Sequence, residues 1–246
     1  MKPEIRMKMR LISSVIAGAA LFVVQAQANL LQNASFEQPA SGSKIYSGFS
    51  STTQPDVPSW FTPGDQQAVD TGVENPGGAG FDGLYSAYLS ILDSAAAPGR
   101  GSAAQTTTYV LQTGDVLDLS LLGRPGYTFD GSWAPADATL HYVLSYGGAG
   151  STVGTTFAQG FIDFGTGNGG DWSSFSVLGI AVPTAAVGQV LGIELYNSSN
   201  VEGGASLSTG SWIGVDNVSL TTVPEPSMIA LLSLGGLAFT VFRRRA

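Results

Sequence analysis

Few side chains in this sequence are of the types that carry out catalysis. His141 is the single histidine and cysteine is absent, so a zinc site of the usual cysteine and histidine ligands is disfavoured. A serine triad would have to use His141, yet no G-x-S-x-G elbow is present. His141 falls on the polar side of an alternating strand pattern, which predicts an ordinary solvent-exposed residue.

Carboxylate pairs are the other route to chemistry, because two of them can hydrolyse a glycoside. Most acidic residues here are Asp in Gly- or Pro-rich stretches, which is typical of solvated turns. The acidic, Gly-rich segment 163–171 fits neither an EF-hand loop nor a G-G-x-G-x-D repeat. Neither motif nor spacing marks two partners among the four glutamates of the body, which are Glu37, Glu74, Glu194 and Glu202. We therefore expect a protein without catalytic residues, and a secreted glycan hydrolase is the alternative.

The distribution of charge excludes nucleic acid as a partner. The 246-residue chain has a formal charge of −8, but its basic residues gather near both ends. Between residues 29 and 223 there are three basic and 16 acidic residues, which gives that body a net charge of −13. Phosphate backbones are bound through Lys and Arg, so a body this acidic repels nucleic acid and anionic lipid surfaces.

The first 28 residues have the three parts of a secretory signal. Residues 1–10 carry four basic side chains, residues 11–24 form an apolar run, and Ala26 and Ala28 give a small-x-small cleavage site. A run of about 14 apolar residues is short for a membrane span of roughly 20. The pattern predicts a signal peptide at residues 1–28 that is cleaved after Ala28.

The body, residues 29–222, has the pattern of an all-β domain. Apolar and polar residues alternate with a period of two, which gives each strand one buried and one wet face. Clusters of Gly, Ser, Asn and Pro separate these segments. We predict an antiparallel two-sheet sandwich, whose stability must come from its core because disulfides are absent. The predicted strands include residues 85–91, 117–121, 140–146, 157–164, 172–178, 191–195 and 211–220.

A three-part segment closes the chain. Pro224, Glu225 and Pro226 come first, then an uncharged apolar stretch at residues 227–242, and then three consecutive arginines at 243–245. As a helix the stretch would reach about 24 Å, slightly short of a ~30 Å hydrocarbon core. We predict a transmembrane helix whose arginines Arg243, Arg244 and Arg245 remain cytoplasmic, with the body outside.

Residues 223–246 resemble the PEP-CTERM sorting signal of Gram-negative bacteria. The resemblance implies recognition by an exosortase, with processing near Pro224, Glu225 and Pro226 and with Glu225 as a recognition residue. It also implies an inner-membrane-anchored precursor that is delivered to the envelope, the surface or the extracellular matrix. Such proteins tend to occur in species that make exopolysaccharide and biofilm.

Two further segments resemble galactose-binding-like jelly rolls and related carbohydrate-binding modules. Residues 29–37 resemble the opening N-L-L-x-N-G-x-F-E with Ala34 in place of the glycine, and residues 213–220 resemble the closing I-D-(D/N)-V-x-L. The resemblance implies a jelly-roll fold. In several such modules the early glutamate and the late aspartate meet at a structural calcium, which makes Glu37 and Asp216 the candidate ligands. The alternative is that both only hydrogen-bond local turns.

The closing segment also carries a signal of its own. Ile213 and Val215 share one phase of alternation, whereas Val218 and Leu220 share the other. A β-bulge near Asp216 would reconcile the two phases and redirect its carboxylate.

Sugar-binding sites commonly use flat aromatic faces, and the body has four tryptophans. Most are expected in the core. Trp133, between Gly-Ser and Ala-Pro, is the one predicted on an exposed loop and is the candidate ligand-binding residue. We expect an exported, non-enzymatic matrix or glycan-binding protein with an exosortase and extracellular polysaccharide as partners. A purely structural adhesin or matrix component is the alternative.

Overall fold

The computed structural model describes residues 28–38, 57–63, 71–76, 79–92, 99–126, 138–150, 152–165, 171–198 and 211–223. These ranges contain ten strands and a single 3₁₀ turn at Thr184–Ala186. The strands are β1 Thr71–Glu74, β2 Ser86–Leu92, β3 Gly99–Arg100, β4 Ser102–Val110, β5 Val116–Arg124, β6 Thr139–Tyr146, β7 Thr155–Asp163, β8 Ser173–Ala181, β9 Val190–Asn197 and β10 Ser211–Thr222.

The strands form two antiparallel sheets, as predicted for a jelly-roll sandwich. Sheet A has the order β1-β2-β10-β5-β8, with β3 paired to β2, and sheet B has the order β4-β9-β6-β7. Alternate residues point between the sheets, so Leu117, Leu119 and Leu121 of β5 are buried against Leu140 and Leu144 of β6. Full burial of one such side chain contributes about 1.5–3 kcal/mol, and this core replaces disulfides as the source of stability.

Strand β10 contains the predicted bulge. Its pairing register with β5 shifts between Asp216 and Ser219, and Asn217 at the shift has a left-handed φ of 44°. As a result Ile213, Val215, Val218 and Leu220 are all fully buried although their sequence phases differ. The bulge confirms the interpretation of the closing segment.

The N-terminal segment is tied to both sheets. The Asn29 side chain donates to the Val218 carbonyl (2.8 Å) and accepts from the Leu220 amide (3.0 Å) in sheet A. The backbone of Gln32 exchanges two hydrogen bonds with the side-chain amide of Gln105 in sheet B. The segment therefore closes one edge of the sandwich.

Both ends of the chain lie outside the described residues. This applies to the predicted signal peptide up to residue 27 and to the predicted helix at residues 227–242. In the described ranges no helix is long and apolar enough to cross a membrane.

Candidate functional site

The structure brings Glu37 and Asp216 to the same short segment. Asp216 Oδ2 accepts a hydrogen bond from the Asp82 amide (2.6 Å), and Oδ1 accepts one from the Asn217 amide (2.7 Å). Glu37 Oε1 accepts from the amides of Leu84 and Tyr85, both at 2.8 Å. The two carboxylates thus hold residues 82–85, and the hydrogen bonding to local turns that the sequence allowed is present.

Gly83 makes this arrangement possible. Its φ is +74°, a left-handed conformation, and a Cβ at this position would lie 2.4 Å from the Glu37 carboxyl carbon. Only glycine satisfies both the backbone angle and the close approach of the carboxylate.

The electrostatics around Asp216 are unfavourable for its charge. The side chain is fully buried, and this burial raises the pKa of Asp216 to about 7 against the lowering effect of its two amide donors. The charges of Asp82 and Glu37 add to the increase. Asp216 is not part of the ion pair found in the described ranges, which joins Arg124 and Glu74. A bound proton or cation would therefore stabilise the Asp216 site.

The donor set suits a calcium ion in type, because carboxylate oxygens are the ligands that calcium prefers. Within the described ranges, however, no group of three or more His, Asp or Glu side chains is placed to hold a metal ion. Both Asp216 oxygens and Glu37 Oε1 already accept amide hydrogens. Any calcium here would need carbonyl or water oxygens in addition to this pair, and the predicted calcium stays a prediction.

A second group of polar and aromatic side chains lies on the outer face of sheet B. Pairing places Ser102, Tyr196, His141 and Phe161 opposite one another across β4, β9, β6 and β7. We call these four residues the His141 row. The exposed fraction rises along the row from 0% at Ser102 through 5% and 7% to 45% at Phe161. The row is therefore open at its β7 end.

The rings of the His141 row contact each other directly. The His141 ring stacks on Phe161 with centroids 4.3 Å apart and meets Tyr196 edge-on at 4.5 Å. His141 Nδ1 and the Tyr196 hydroxyl share a hydrogen bond. The stacking on His141 restrains the Phe161 ring, while nearly half of the Phe161 side chain remains exposed to solvent.

Buried polar groups accompany the row on this face. Glu194 lies two residues before Tyr196 on β9 and is 5% exposed. The hydroxyls of Ser102 and Ser145 are buried and have no hydrogen-bond partner among the described residues. Unsatisfied hydroxyls cost free energy when buried, and with at most 1% of either serine exposed neither hydroxyl is accessible to a ligand in this conformation.

The prediction for His141 was correct about the strand face and wrong about its exposure. His141 lies on the outer side of β6, but it is 7% exposed because Phe161 and Tyr196 from the neighbouring strands pack against it. Alternation within one strand identifies the face but contains no information about side chains that come from other strands.

The three described tryptophans divide between the core and the outer face of sheet A. Trp60 is 3% exposed and packs on Phe36 with centroids 5.0 Å apart. Trp172 and Trp212 flank the Arg124 guanidinium at 5.1 and 5.0 Å from their ring centroids, and Arg124 Nη2 donates to Glu74 Oε1 at 3.0 Å. We call these four residues the Arg124 cluster, which sequence patterns did not identify.

The remaining predicted site residues lie outside the described ranges. These are Ala26, Trp133, Pro224, Glu225, Pro226, Arg243, Arg244 and Arg245. Ala28 is described and is solvent-exposed.

Comparison with known proteins identifies the C-terminal segment. The family model of the PEP-CTERM protein-sorting motif matches residues 222–245, so the resemblance noted from the sequence is confirmed. The motif is that of an exported, envelope-directed protein. A search of curated proteins with the whole sequence finds no match.

Solved structures with this fold include a cyclase from Fischerella sp. TAU. It shares 24% sequence identity, with a TM-score of 0.53 over 82% of this chain and 100% of that one. At lower TM-scores the chain is also similar to TmCBM61 in complex with β-1,4-galactotriose (0.41; 14% identity; 80% and 99% covered). The CBM22-2 xylan-binding domain from Paenibacillus barcinonensis gives 0.42 (16% identity; 68% and 94% covered). At these identities the likeness concerns the fold alone.

Proposed function

We propose that this chain is an exported, non-enzymatic protein that binds glycan on the outer face of sheet B. The observation that carries the proposal is the half-exposed Phe161 ring, held by its stacking on His141. An aromatic face that is fixed before binding loses little side-chain entropy when a sugar ring packs on it. Gln159 and Asp163, the exposed polar side chains two residues to either side of Phe161 on β7, supply hydrogen-bonding groups for a sugar that packs on the ring.

The charge of the site favours an uncharged glycan. Glu194 is acidic, and the body as a whole carries a net charge of −13. An acidic polysaccharide would approach against this field, whereas a neutral one would not be repelled.

The spacing of carboxylates supports binding over hydrolysis. Among the described residues of this face, Asp163 is the carboxylate that accompanies Glu194. They are two strands and four residues apart, which corresponds to roughly 16 Å from ordinary strand spacings. Paired carboxylates that hydrolyse a glycoside are about 5–10 Å apart. The hydrolase alternative would thus need a second carboxylate from elsewhere.

A glycan array tests the proposal directly. The purified 29–222 body, shown to be folded by circular dichroism, is screened with and without calcium. The expected result is a reproducible hit among neutral glycans. A blank array from folded protein would replace this proposal by a structural matrix or adhesion role.

The sorting motif supports processing by an exosortase after insertion of residues 227–242 in the membrane. Replacing Glu225 with Gln should then leave the full-length precursor in the inner membrane. Immunoblots of membrane and extracellular fractions measure this. Normal maturation of Glu225→Gln would contradict exosortase handling at this motif.

We also propose that a calcium ion binds between Glu37 and Asp216 and stabilises the fold. The support is the buried, uncompensated charge of Asp216 beside two other carboxylates. EDTA should lower the melting temperature of the body, and Asp216→Ala should abolish this sensitivity. If the melting temperature of the unmutated body does not change with EDTA, calcium does not bind at this site.

A further inference from the structure

One end of the sandwich, which we call the base, differs from the rest of the molecule. Strands β4, β6, β8 and β10 end there, and β5, β7 and β9 begin there. The pairs Val110↔Val190, Val116↔Ala181 and Thr222↔Leu117 show that these strand ends lie side by side. The base comprises residues 110–116, 147–150, 152–155, 178–190 and 220–223.

Both processed segments adjoin the base. The Val223 amide donates to the Val116 carbonyl (2.7 Å), directly before the Pro-Glu-Pro sequence. The Leu30 amide donates to the Leu220 carbonyl (2.8 Å), so residue 28, after which cleavage is predicted, is also at this end. In the sequence, Pro224, Glu225 and Pro226 separate Val223 from the proposed span at 227–242, and four residue steps reach at most about 14 Å.

The base is nearly free of charge. Its residues include no Lys or Arg and one of the 16 acidic residues of the body, Asp115. A second carboxylate borders it, because Asp118 Oδ1 of β5 accepts a hydrogen bond from the Gly179 amide (2.8 Å). Asp115 Oδ2 accepts hydrogen bonds from the Tyr109 hydroxyl (2.8 Å) and the Gln112 amide (2.7 Å). Of the body's net charge of −13, the base therefore carries −1 and the remainder −12.

The base also exposes apolar side chains. In the described ranges five large hydrophobic residues are exposed by more than a third, and three of them lie in the base. They are Leu178 (70%), Val110 (40%) and Val223 (38%). Apolar side chains in an uncharged surface beside a membrane-directed segment fit the interfacial region of a bilayer.

We propose that the base rests on the lipid surface of the membrane. This rests on the proposed anchoring by residues 227–242. The short connection keeps the base near the bilayer, and the apolar side chains of the base enter the headgroup region. The acidic remainder is repelled by anionic lipid, so Phe161 and His141, near the opposite ends of β7 and β6, face away from the membrane and towards external glycan.

The chain contains no cysteine, so single-cysteine variants can report this orientation. Ala181→Cys and Ser173→Cys place a probe at opposite ends of β8, on two small exposed residues. Eight residues of strand separate them by about 26 Å. The precursor without its signal peptide, residues 29–246, carries a fluorophore and is reconstituted in phosphatidylethanolamine and phosphatidylglycerol vesicles that contain headgroup spin-labelled quencher.

We expect quenching at position 181 to exceed that at position 173 several-fold. Equal quenching in chains that float with the vesicles would overturn the proposal and leave anchoring intact. A chain that does not float with the vesicles would overturn anchoring, and the proposal with it.

A pair of aspartate variants tests the apolar contact. Leu178→Asp adds a charge to the base, whereas Ser174→Asp adds the same charge at an exposed position of β8 outside it. Leu178→Asp should reduce quenching of the probe at position 181, and Ser174→Asp should not. Unchanged quenching in Leu178→Asp would show that the connection alone orients the body, which contradicts contact with lipid.

Discussion

The outer faces of the two sheets both contain aromatic and polar side chains, but these side chains have different partners. On sheet A they contact one another, whereas on sheet B one ring is left exposed. In the Arg124 cluster on sheet A, the guanidinium has a carboxylate at 3.0 Å and two indole rings with centroids at about 5 Å. In the His141 row on sheet B, Phe161 is 45% exposed although His141 stacks on its ring. Groups that the chain itself satisfies stabilise the fold, whereas groups left open can bind a ligand.

The Arg124 cluster should give the largest loss of stability. Arg124→Met leaves the Glu74 side chain, only 14% exposed, without its partner, which costs about 3 kcal/mol in the free energy of unfolding. Adding Glu74→Leu should recover part of this loss, because no unpaired charge then remains. Urea unfolding measures both variants. A loss below 1 kcal/mol in Arg124→Met would show that the two faces do not differ in this way.

The acidic pair makes stability depend on pH when calcium is removed by EDTA. In the unfolded chain Asp216 loses its proton near its ordinary pKa of 3.8, whereas burial holds the proton to about pH 7 in the folded chain. Between these values the folded state binds more protons, so the free energy of unfolding falls as pH rises from about 4 to about 7.

Thermal melts across this pH range check the dependence. Asp216→Asn removes the titrating group, and its melting temperature should be flatter with pH although lower at acidic pH. A wild-type melting temperature that rises steadily from pH 4 to 7 would contradict a protonated Asp216.

A smaller loss in the free energy of unfolding is expected when Gly83, which lies against the Glu37 carboxylate, is replaced. Gly83→Ala meets the Glu37 carboxyl as well as a left-handed φ of +74°. Gly150→Ala is the matched control, since its φ is +60° and no atom lies within 4 Å of the new Cβ. The control should lose roughly 1–2 kcal/mol from backbone strain and Gly83→Ala clearly more. Equal losses would show that Glu37 moves away freely.

Much of the fold could be predicted from the alternation of apolar and polar residues and from one change in the phase of that alternation. The phase change between Val215 and Val218 indicated the bulge, and both residues are fully buried. Strand β4 was missed because Ser102–Val110 is built from Ser, Ala, Gln and Thr with little apolar contrast. It is buried through small residues such as Ala103, which carry no periodic signal.

The sites were less predictable because their residues come from distant parts of the chain. Glu74 and Arg124 are 50 residues apart, and no local pattern links them. Residues 29–37 and 213–220 identified Glu37 and Asp216 through family resemblance. The stacking of Phe161 on His141 depends on the register of β6 with β7, which the sequence of either strand does not determine.

The most direct test of glycan binding by sheet B compares two exposed apolar residues. Phe161→Ala removes the open ring of the His141 row, and Leu178→Ala is the control on β8 of sheet A. Affinity for the best glycan from the array is measured by isothermal titration calorimetry. Loss of the central aromatic contact should weaken binding at least about tenfold, while Leu178→Ala binds like wild type. Undiminished binding by a folded Phe161→Ala variant would contradict a glycan site on this face.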